Sequence, residues 1–403
     1  MLSDAAIDNL VQQIVNRQEA INIYVLTKIA NRLRKISTLT PNDIRRMQIL
    51  VQSGTDIRQM NEYIADMSGK QISDIKSIIK TVALDNYLDA KPLYDYRHRS
   101  FIPFEQNTEL QRITDAIAEQ TANTYENLSN SRATGFWVKD AHNPQQLVFR
   151  SIDDSYRDAV DKAVQAVLSG AVDKEEAIRS VVKQLLDSGI RRLYWESGYS
   201  QRLDTAVRRN IQDGVKQINQ RIQDAIGKQV GADGKELSVH ANSAPDHEPF
   251  QGHQFTNEEY EKLQSNEDFR DVEGRLFVGV KRIIGEWNCR HFAYSIIVGQ
   301  SKPRYSKQQL QNMIRKNHEG YTNAEGKHFT LYECTQVQRK LETKIRYAKE
   351  EQMLMKELGN NTARNLARRK VEYLTAEYKR FSKQSNMPMR LNRTTVPGYK
   401  SWR

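Results

Sequence analysis

The sequence predicts a mainly α-helical protein with one small α+β domain: an N-terminal helical bundle, a central α+β core, and C-terminal basic helices that end in an extended tail. Three observations predict it. Apolar residues recur at three- and four-residue steps over most of the 403 residues. The chemically distinctive residues crowd into one stretch between helical blocks, Ser238 to Gly299, and the basic charge crowds into the last quarter. The chain is only 38% hydrophobic with a mean hydropathy of -0.73. That composition suits helices exposed over much of their surface, or covered only when other subunits arrive, better than one large core. The expected units are 1–88, 89–199, 200–300, 301–385 and 386–403.

In the first unit Ile7, Leu10, Val11, Ile14, Ile21, Val25 and Ile29 follow helical steps and make one long amphipathic helix. Thr40-Pro41-Asn42-Asp43 supplies an N-cap, a proline at the first helical position and an acid in the first turn, so a second helix starts there. Ser53-Gly54-Thr55-Asp56 is expected to interrupt it and cap a third, and Ser68-Gly69-Lys70 to end that one. Ser73-Asp74 then opens a fourth through Ile75, Ile78, Ile79 and Val82. The first helix looks longer than these neighbours can cover. That marks the bundle as a docking element for another protein, expected to fold apart from the centre.

From Asp89 to Asn107 the chain turns aromatic and proline-containing, which reads as an ordered extended linker, too apolar for a free tether. A helix over about Thr108 to Asn130 follows, then a short hairpin pairing Phe136-Trp137-Val138 with Leu147-Val148-Phe149, then a helix from Ser151 to Leu168. Asp173 to Glu176 resembles a capping box for a helix ending at Gly189. A helix from about Ser200 to Ile226 leads into the central stretch. Beyond Gly299, Ser306 with Gln309 caps a short helix. Thr330 to Leu358 and Thr362 to Ser382 are longer ones, parted by Gly359-Asn360-Asn361. The segment from Asn386 to Arg403 has no acid and no period, and reads as an extended basic tail.

Two cysteines, Cys289 and Cys334, make no disulfide framework, and no basic start followed by an apolar run marks a secretory signal. No run approaches the roughly 18 apolar residues that span a bilayer, so neither a secreted nor a membrane role is expected. The net charge is +11, and its placement is uneven. Residues 301–403 hold 23 Lys or Arg against 9 Asp or Glu, a net of +14, which leaves -3 for residues 1–300. A segregated positive module is the footprint of contact with a polyanion, usually nucleic acid, although a solvated lysine-rich face has the same composition. The candidates are Arg339, Lys340, Lys344, Arg346 and Lys349 on one helix, Arg364, Arg368, Arg369 and Lys370 on the next, and Arg390, Arg393, Lys400 and Arg403 beyond. So wide a spread has no base-reading geometry and points to phosphates of double-stranded DNA. Tyr347, Tyr373 and Tyr378 are core residues or base-stacking ones.

The central stretch holds His240, Asp246, His247, His253, Cys289 and His291, which include ligand types that zinc accepts. Cys289-x-His291 on a strand presents both side chains on one face. The first half, however, lacks the cysteine pair usual in structural zinc sites, and satisfied polar residues pinning a loop are the commoner outcome. Cys289 beside Arg290 is also a candidate nucleophile, without an identifiable third orienting group. Glu259-Tyr260-Glu261 imitates the glutamate pair of an ADP-ribosyltransferase but sits in the first turn of a helix capped by Thr256, where acids need no catalytic reason. The chain contains no GxGxxG, Walker A or HExxH motif.

Three segments together carry a resemblance: His240-Ala241 through Asp246-His247-Glu248-Pro249-Phe250-Gln251-Gly252, then Ile284 through Asn288-Cys289-Arg290-His291, and the closing Val396-Pro397-Gly398-Tyr399. Over essentially its whole length the chain resembles the minor capsid proteins of tailed phages of Gram-positive bacteria. Over about Ser200 to Gly299 it is similar to the Mu F-like head morphogenesis proteins, whose hallmark is a His shortly before a Gly and a later Asn-Cys-Arg-Cys. His247 and Gly252 match the first part and Asn288, Cys289 and Arg290 the second, while His291 stands where relatives have the second cysteine. That departure argues against a disulfide but keeps a ligand type, so His247, Cys289 and His291 are the metal candidates. The resemblance implies a low-copy, non-enzymatic head component. It would be assembled in the bacterial cytoplasm, recruited by the portal protein with scaffold or major capsid protein as further partners, and housed inside the virion near packaged DNA. An enzyme of the head interior, ADP-ribosyltransferase-like or metal-dependent and centred on His247 and Cys289, is the alternative.

Overall fold

The computed structural model describes residues 2–38, 49–130, 135–139, 143, 146–168, 174–187, 192–194, 200–271, 274–279, 283–285 and 289–400. These residues are mainly helical with small antiparallel sheets. The N-terminal half runs α1 (Asp4–Ser37), α2 (Ile49–Asp89), α3 (Lys91–Tyr96), α4 (Thr108–Asn130), the hairpin β1 (Gly135–Lys139) and β2 (Leu147–Ser151), α5 (Ile152–Leu168), α6 (Lys174–Asp187), and the short pair β3 (Arg192–Tyr194) and β4 (Ser200–Arg202). Next come α7 (Leu203–Val230), β5 (Gly234–Leu237), β6 (Gln254–Thr256), α8 (Asn257–Gln264), β7 (Phe269–Arg270), β8 (Leu276–Phe277) and β9 (Ala293–Ile296). The chain closes with α9 (Lys307–Glu319), β10 (Tyr321–Thr322), β11 (His328–Phe329), α10 (Leu331–Glu357) and α11 (Asn361–Gln384).

Ser3 caps α1, its hydroxyl accepting from the Ala6 amide at 3.2 Å. The helix then serves two cores. Val11, Ile14 and Val15 pack with Ile75, Ile79 and Tyr87 of α2, Leu110 and Tyr125 of α4 and the apolar face of α7. Ile21 to Ile36 pack with the start of α2, with α5 and α6, and with Leu354 and Met355 of α10. Later parts of the same chain therefore cover α1, and the expectation of an over-long helix left for a partner is corrected: its partners are α5, α6, α7 and α10, far downstream.

The expected breaks within the next segment are also absent. α2 runs unbroken through Ser53-Gly54-Thr55-Asp56 and Ser68-Gly69-Lys70, while Thr40 to Asp43 lie outside the described residues. Gly54 and Gly69 sit where an added Cβ would meet nothing within 4 Å, on the outer face. Each costs about 1 kcal/mol against alanine in a helix. Ile57, Met60, Ile64, Ile75 and Ile79 on the other face are buried, at about 1.5–3 kcal/mol each, which outweighs two glycines.

The aromatic segment expected to be an extended linker is helical over α3 and folds onto itself. The Tyr87 and Phe101 rings stack at 4.5 Å, and the Tyr87 hydroxyl donates to the Ile102 carbonyl at 2.7 Å. The hairpin expected at 136–149 forms, with Trp137 opposite Phe149.

The central sheet has the order β6-β5-β9, all antiparallel, with Gly234 opposite both Thr256 and Ile296 and Leu237 opposite Ala293. α7 closes the outer edge of β9. The Gln220 side-chain carbonyl accepts from the Ala293 amide at 2.9 Å and that of Gln223 from the Ser295 amide at 2.8 Å, which removes an open edge. An added Cβ at Gly227 of α7 would lie 2.5 Å from the Ser295 hydroxyl, so only glycine allows this approach.

α10 and α11 form a hairpin around Ile345, Leu374 and Tyr378. The segment expected to be an extended tail folds back on it. Met387 and Val396 are buried, the Arg390 amide donates to the Tyr378 hydroxyl at 2.9 Å, and Arg393 pairs with Asp8 of α1 at 2.9 Å. Arg393 thus finds an acid that lies almost the whole chain away, which composition alone does not disclose. No helix among the described residues is long and apolar enough to cross a membrane.

Candidate functional site

Pairing of β5 with β9 continues past both strand ends, because the Ser238 amide donates to the Phe292 carbonyl at 2.9 Å and the Phe292 amide to the Ser238 hydroxyl at 3.1 Å. The loop after β5 therefore lies beside the lead-in to β9. A turn closed by the His247 amide on the Ala244 carbonyl swings His247 inward. Glu248 anchors the turn to α9 by accepting from Asn317 at 2.6 Å and His318 at 2.7 Å. Gly252 has φ +68, and a Cβ there would come within 2.7 Å of Leu310, so its place in the motif has a steric reason.

The two motif halves consequently meet. Cys289 Sγ lies 3.2 Å from His247 Nδ1 and 3.3 Å from His291 Nδ1, and all three residues are at most 5% exposed. His291 Nε2 lies 3.1 Å from Gln251 Oε1, which also accepts from the His240 amide at 2.6 Å. His247 Nε2 faces Asp246 at 3.8 Å. His240 bridges Asp4 of α1 at 2.9 Å and the Ser238 hydroxyl at 3.2 Å. Burial pushes the Cys289 thiol up, but the hydrogen bond from His247 and those from the Gly285 and His291 backbone outweigh it and hold the thiol below its ordinary range. Of the expected motif core, Asn288 lies outside the described residues; Arg290 points toward Asp8, 4.0 Å away.

This cluster forms part of the wall of a cleft of about 540 Å³ between α1, α7, the loop after β5, α10 and the C-terminal segment. Among the described residues seven arginines line it: Arg208, Arg209, Arg290, Arg339, Arg346, Arg390 and Arg393. Some are matched by acids. Arg346 pairs with Asp204 at 2.7 Å and Glu19 at 3.1 Å, and Arg393 with Asp8. Others are under-matched. Burial, then the field of neighbouring arginines, lowers Arg208 and Arg339 to about 10, and the same causes lower Arg390. Burial raises the Asp8 carboxyl, but Arg290, Arg393, Arg208 and Arg390 outweigh it and hold it below the usual carboxylate range. The wall favours an anion.

The DNA candidates therefore divide. Arg339, Arg390 and Arg393 belong to the cleft, Arg346 is buried in its ion pairs, and Lys349 donates to the Thr394 carbonyl at 2.6 Å. Lys340 and Lys344 of α10 and Arg368, Arg369 and Lys370 of α11 are exposed, Arg364 is half-buried, and Lys400 is exposed; Arg403 lies outside the described residues. Tyr378 is core, whereas Tyr373 is 68% exposed. The sequence reading missed Arg208, Arg209, Asp4 and Asp8, which stand in segments with no charge excess or metal-ligand spacing, and gave Gln251 of the motif no role of its own.

A family model described as phage minor capsid protein 2 matches residues 2–382. No curated protein and no solved structure matches the chain.

Proposed function

The chain belongs to the phage minor capsid protein 2 family and is a structural component of the virion; on that basis we propose that it sits inside the phage head, in low copy and associated with the portal, with its C-terminal hairpin against packaged DNA. One observation carries the DNA contact. The hairpin exposes Arg368, Arg369 and Lys370 of α11 with Lys340 and Lys344 of α10, Arg368 having only the exposed Glu372 at 3.9 Å and Lys370 the half-buried Glu351 at 3.3 Å, in a chain whose net positive charge belongs to residues 301–403. Binding is through phosphates and independent of sequence. Portal recruitment is supported by the resemblance to head morphogenesis proteins, and its surface lies elsewhere than the covered face of α1.

Filter binding of the full chain to unrelated duplexes tests this. With about six phosphates engaged, affinity falls about a thousandfold between roughly 50 and 200 mM salt, and charge reversal of Arg368 and Arg369 weakens it further. Failure to retain DNA even at low salt would leave the hairpin to an acidic surface of the portal or scaffold.

The enzymatic alternative has one observation in its favour, the contact between His247 and a lowered Cys289 thiol. Glu259 of the glutamate pair is committed to its capping box, accepting from the Thr256 amide at 2.7 Å.

A further inference from the structure

We propose that His247, Cys289 and His291 bind one zinc ion in the wall of the arginine-lined cleft, with Gln251 orienting the His291 imidazole. The donor atoms of the three side chains lie within 4.8 Å of one another, and all three residues are buried. Zinc–sulfur and zinc–nitrogen bonds of about 2.3 and 2.0–2.1 Å make the sulfur–nitrogen edge of a tetrahedron about 3.6 Å. The observed sulfur–nitrogen edges of 3.2 and 3.3 Å need to open by a few tenths of an ångström, and the two nitrogens, up to 4.8 Å apart, need to close on the edge of about 3.4 Å that such bonds require, so zinc binding draws the two imidazoles together. Both histidines turn the same ring atom, Nδ1, toward the one sulfur. A divalent ion engages all three donor atoms together, which the single thiol proton cannot do.

The far side of the His291 ring is the second observation. The Asp246 carboxylate lies 3.8 Å from His247 Nε2, beyond direct hydrogen-bond reach, while His291 Nε2 has the Gln251 side-chain carbonyl at 3.1 Å. A histidine that ligates a metal donates its other N–H to such an acceptor, which fixes the tautomer with its lone pair on the metal side. Gln251 is itself held by the His240 amide, and Gly252 lets the chain turn directly after it, so the outer partner is positioned by the backbone.

The donor set narrows the metal. One thiolate and two neutral imidazoles without a carboxylate suit zinc or copper, whereas calcium and magnesium take oxygen ligands. All three residues line the cleft, so a fourth position on the cleft side takes water or an anionic oxygen. The site stands on its own geometry, and a failure of DNA binding at the hairpin would leave it untouched.

The test uses the full chain, purified without a metal-affinity tag. Elemental analysis is expected to find about one zinc per chain. Apoprotein titrated with cobalt is expected to give visible bands of tetrahedral intensity and a thiolate-to-cobalt charge-transfer band. Cys334→Ser keeps that band and Cys289→Ser loses it. Gln251→Leu, which leaves all three ligands in place, weakens zinc binding about ten- to a hundredfold, and His328→Ala, an exposed histidine elsewhere, leaves it unchanged. If Cys289→Ser fails to fold, the wild-type cobalt spectrum with Cys334→Ser as its control decides alone, because only a thiolate gives the charge-transfer band. A folded wild-type chain without that band, a band that survives in folded Cys289→Ser, or copper or nickel retained in preference to zinc would overturn the assignment.

Discussion

Arg346 and Arg368 come from the same basic quarter of the chain, 22 positions apart, and have opposite surroundings. Arg346 is 7% exposed, with its guanidinium shared between Glu19 of α1 and Asp204 of α7, and Arg202 joins the same carboxylates. Arg368 stands on the outer face of α11 with Glu372 3.9 Å away. The net +14 of residues 301–403 is therefore not all available to a polyanion. Part of it is matched by acids of α1 and α7, and it fastens the C-terminal hairpin to the body. The part that remains lies on the outer face and, through Arg339 and Arg390, in the cleft.

Arg346→Met should separate the two arginines most clearly. It leaves Asp204 and Glu19 buried without their main counter-charge, and removing one partner of a buried ion pair costs about 3–5 kcal/mol. Burial lowers the Arg346 pKa, but Asp204, Glu19 and Glu342 outweigh it and raise it, as an arginine held charged by its neighbours requires. A denaturant midpoint consistent with a loss below about 1 kcal/mol would mean that the network relaxes or hydrates, and the fastening role would fall.

A smaller change probes the same contrast through pH. Asp8 meets Arg393 at 2.9 Å, Arg290 at 4.0 Å and the Gln212 side chain at 3.1 Å, with Arg208 and Arg390 beside it. Its folded pKa is lowered, so its contribution is fully present above the ordinary aspartate value and disappears as pH falls through the folded value. Asp8→Asn should therefore flatten the acid limb of a stability–pH curve while changing its shape little near neutrality. An acid limb equally steep in the variant would show that other carboxylates carry it.

The helices are legible in the sequence where their signals are local. Thr256 with Glu259 and Ser306 with Gln309 form the capping boxes that their spacing announces, and the apolar steps of α7 and α10 run where expected. Gly54 and Gly69 mislead, because a glycine on an open face costs less than the burial opposite it returns. The meeting of His247 with Cys289 is legible from the motif pair. The cleft is not: Asp8 and Arg393 are 385 positions apart, and neither stands in a pattern that names the other.

On the outer face the consequences for stability should be slight. Arg368→Ala and Arg369→Ala remove exposed cations from α11, where alanine is the better helix former by a few tenths of a kcal/mol. The ion pair that disappears, Arg368 with Glu372, is exposed, with side chains 52% and 64% accessible, and pairs of that kind contribute about 0–1 kcal/mol. The two effects nearly cancel, so stability should stay within about 0.5 kcal/mol of the parent. DNA retention should nevertheless weaken, and its salt slope should become shallower by about one unit for each phosphate no longer engaged. Equal slopes in parent and double variant would show that the outer face does not touch phosphate. The DNA contact would then have to be sought in the cleft, where Arg346 and Arg393 also hold the hairpin to α1 and α7.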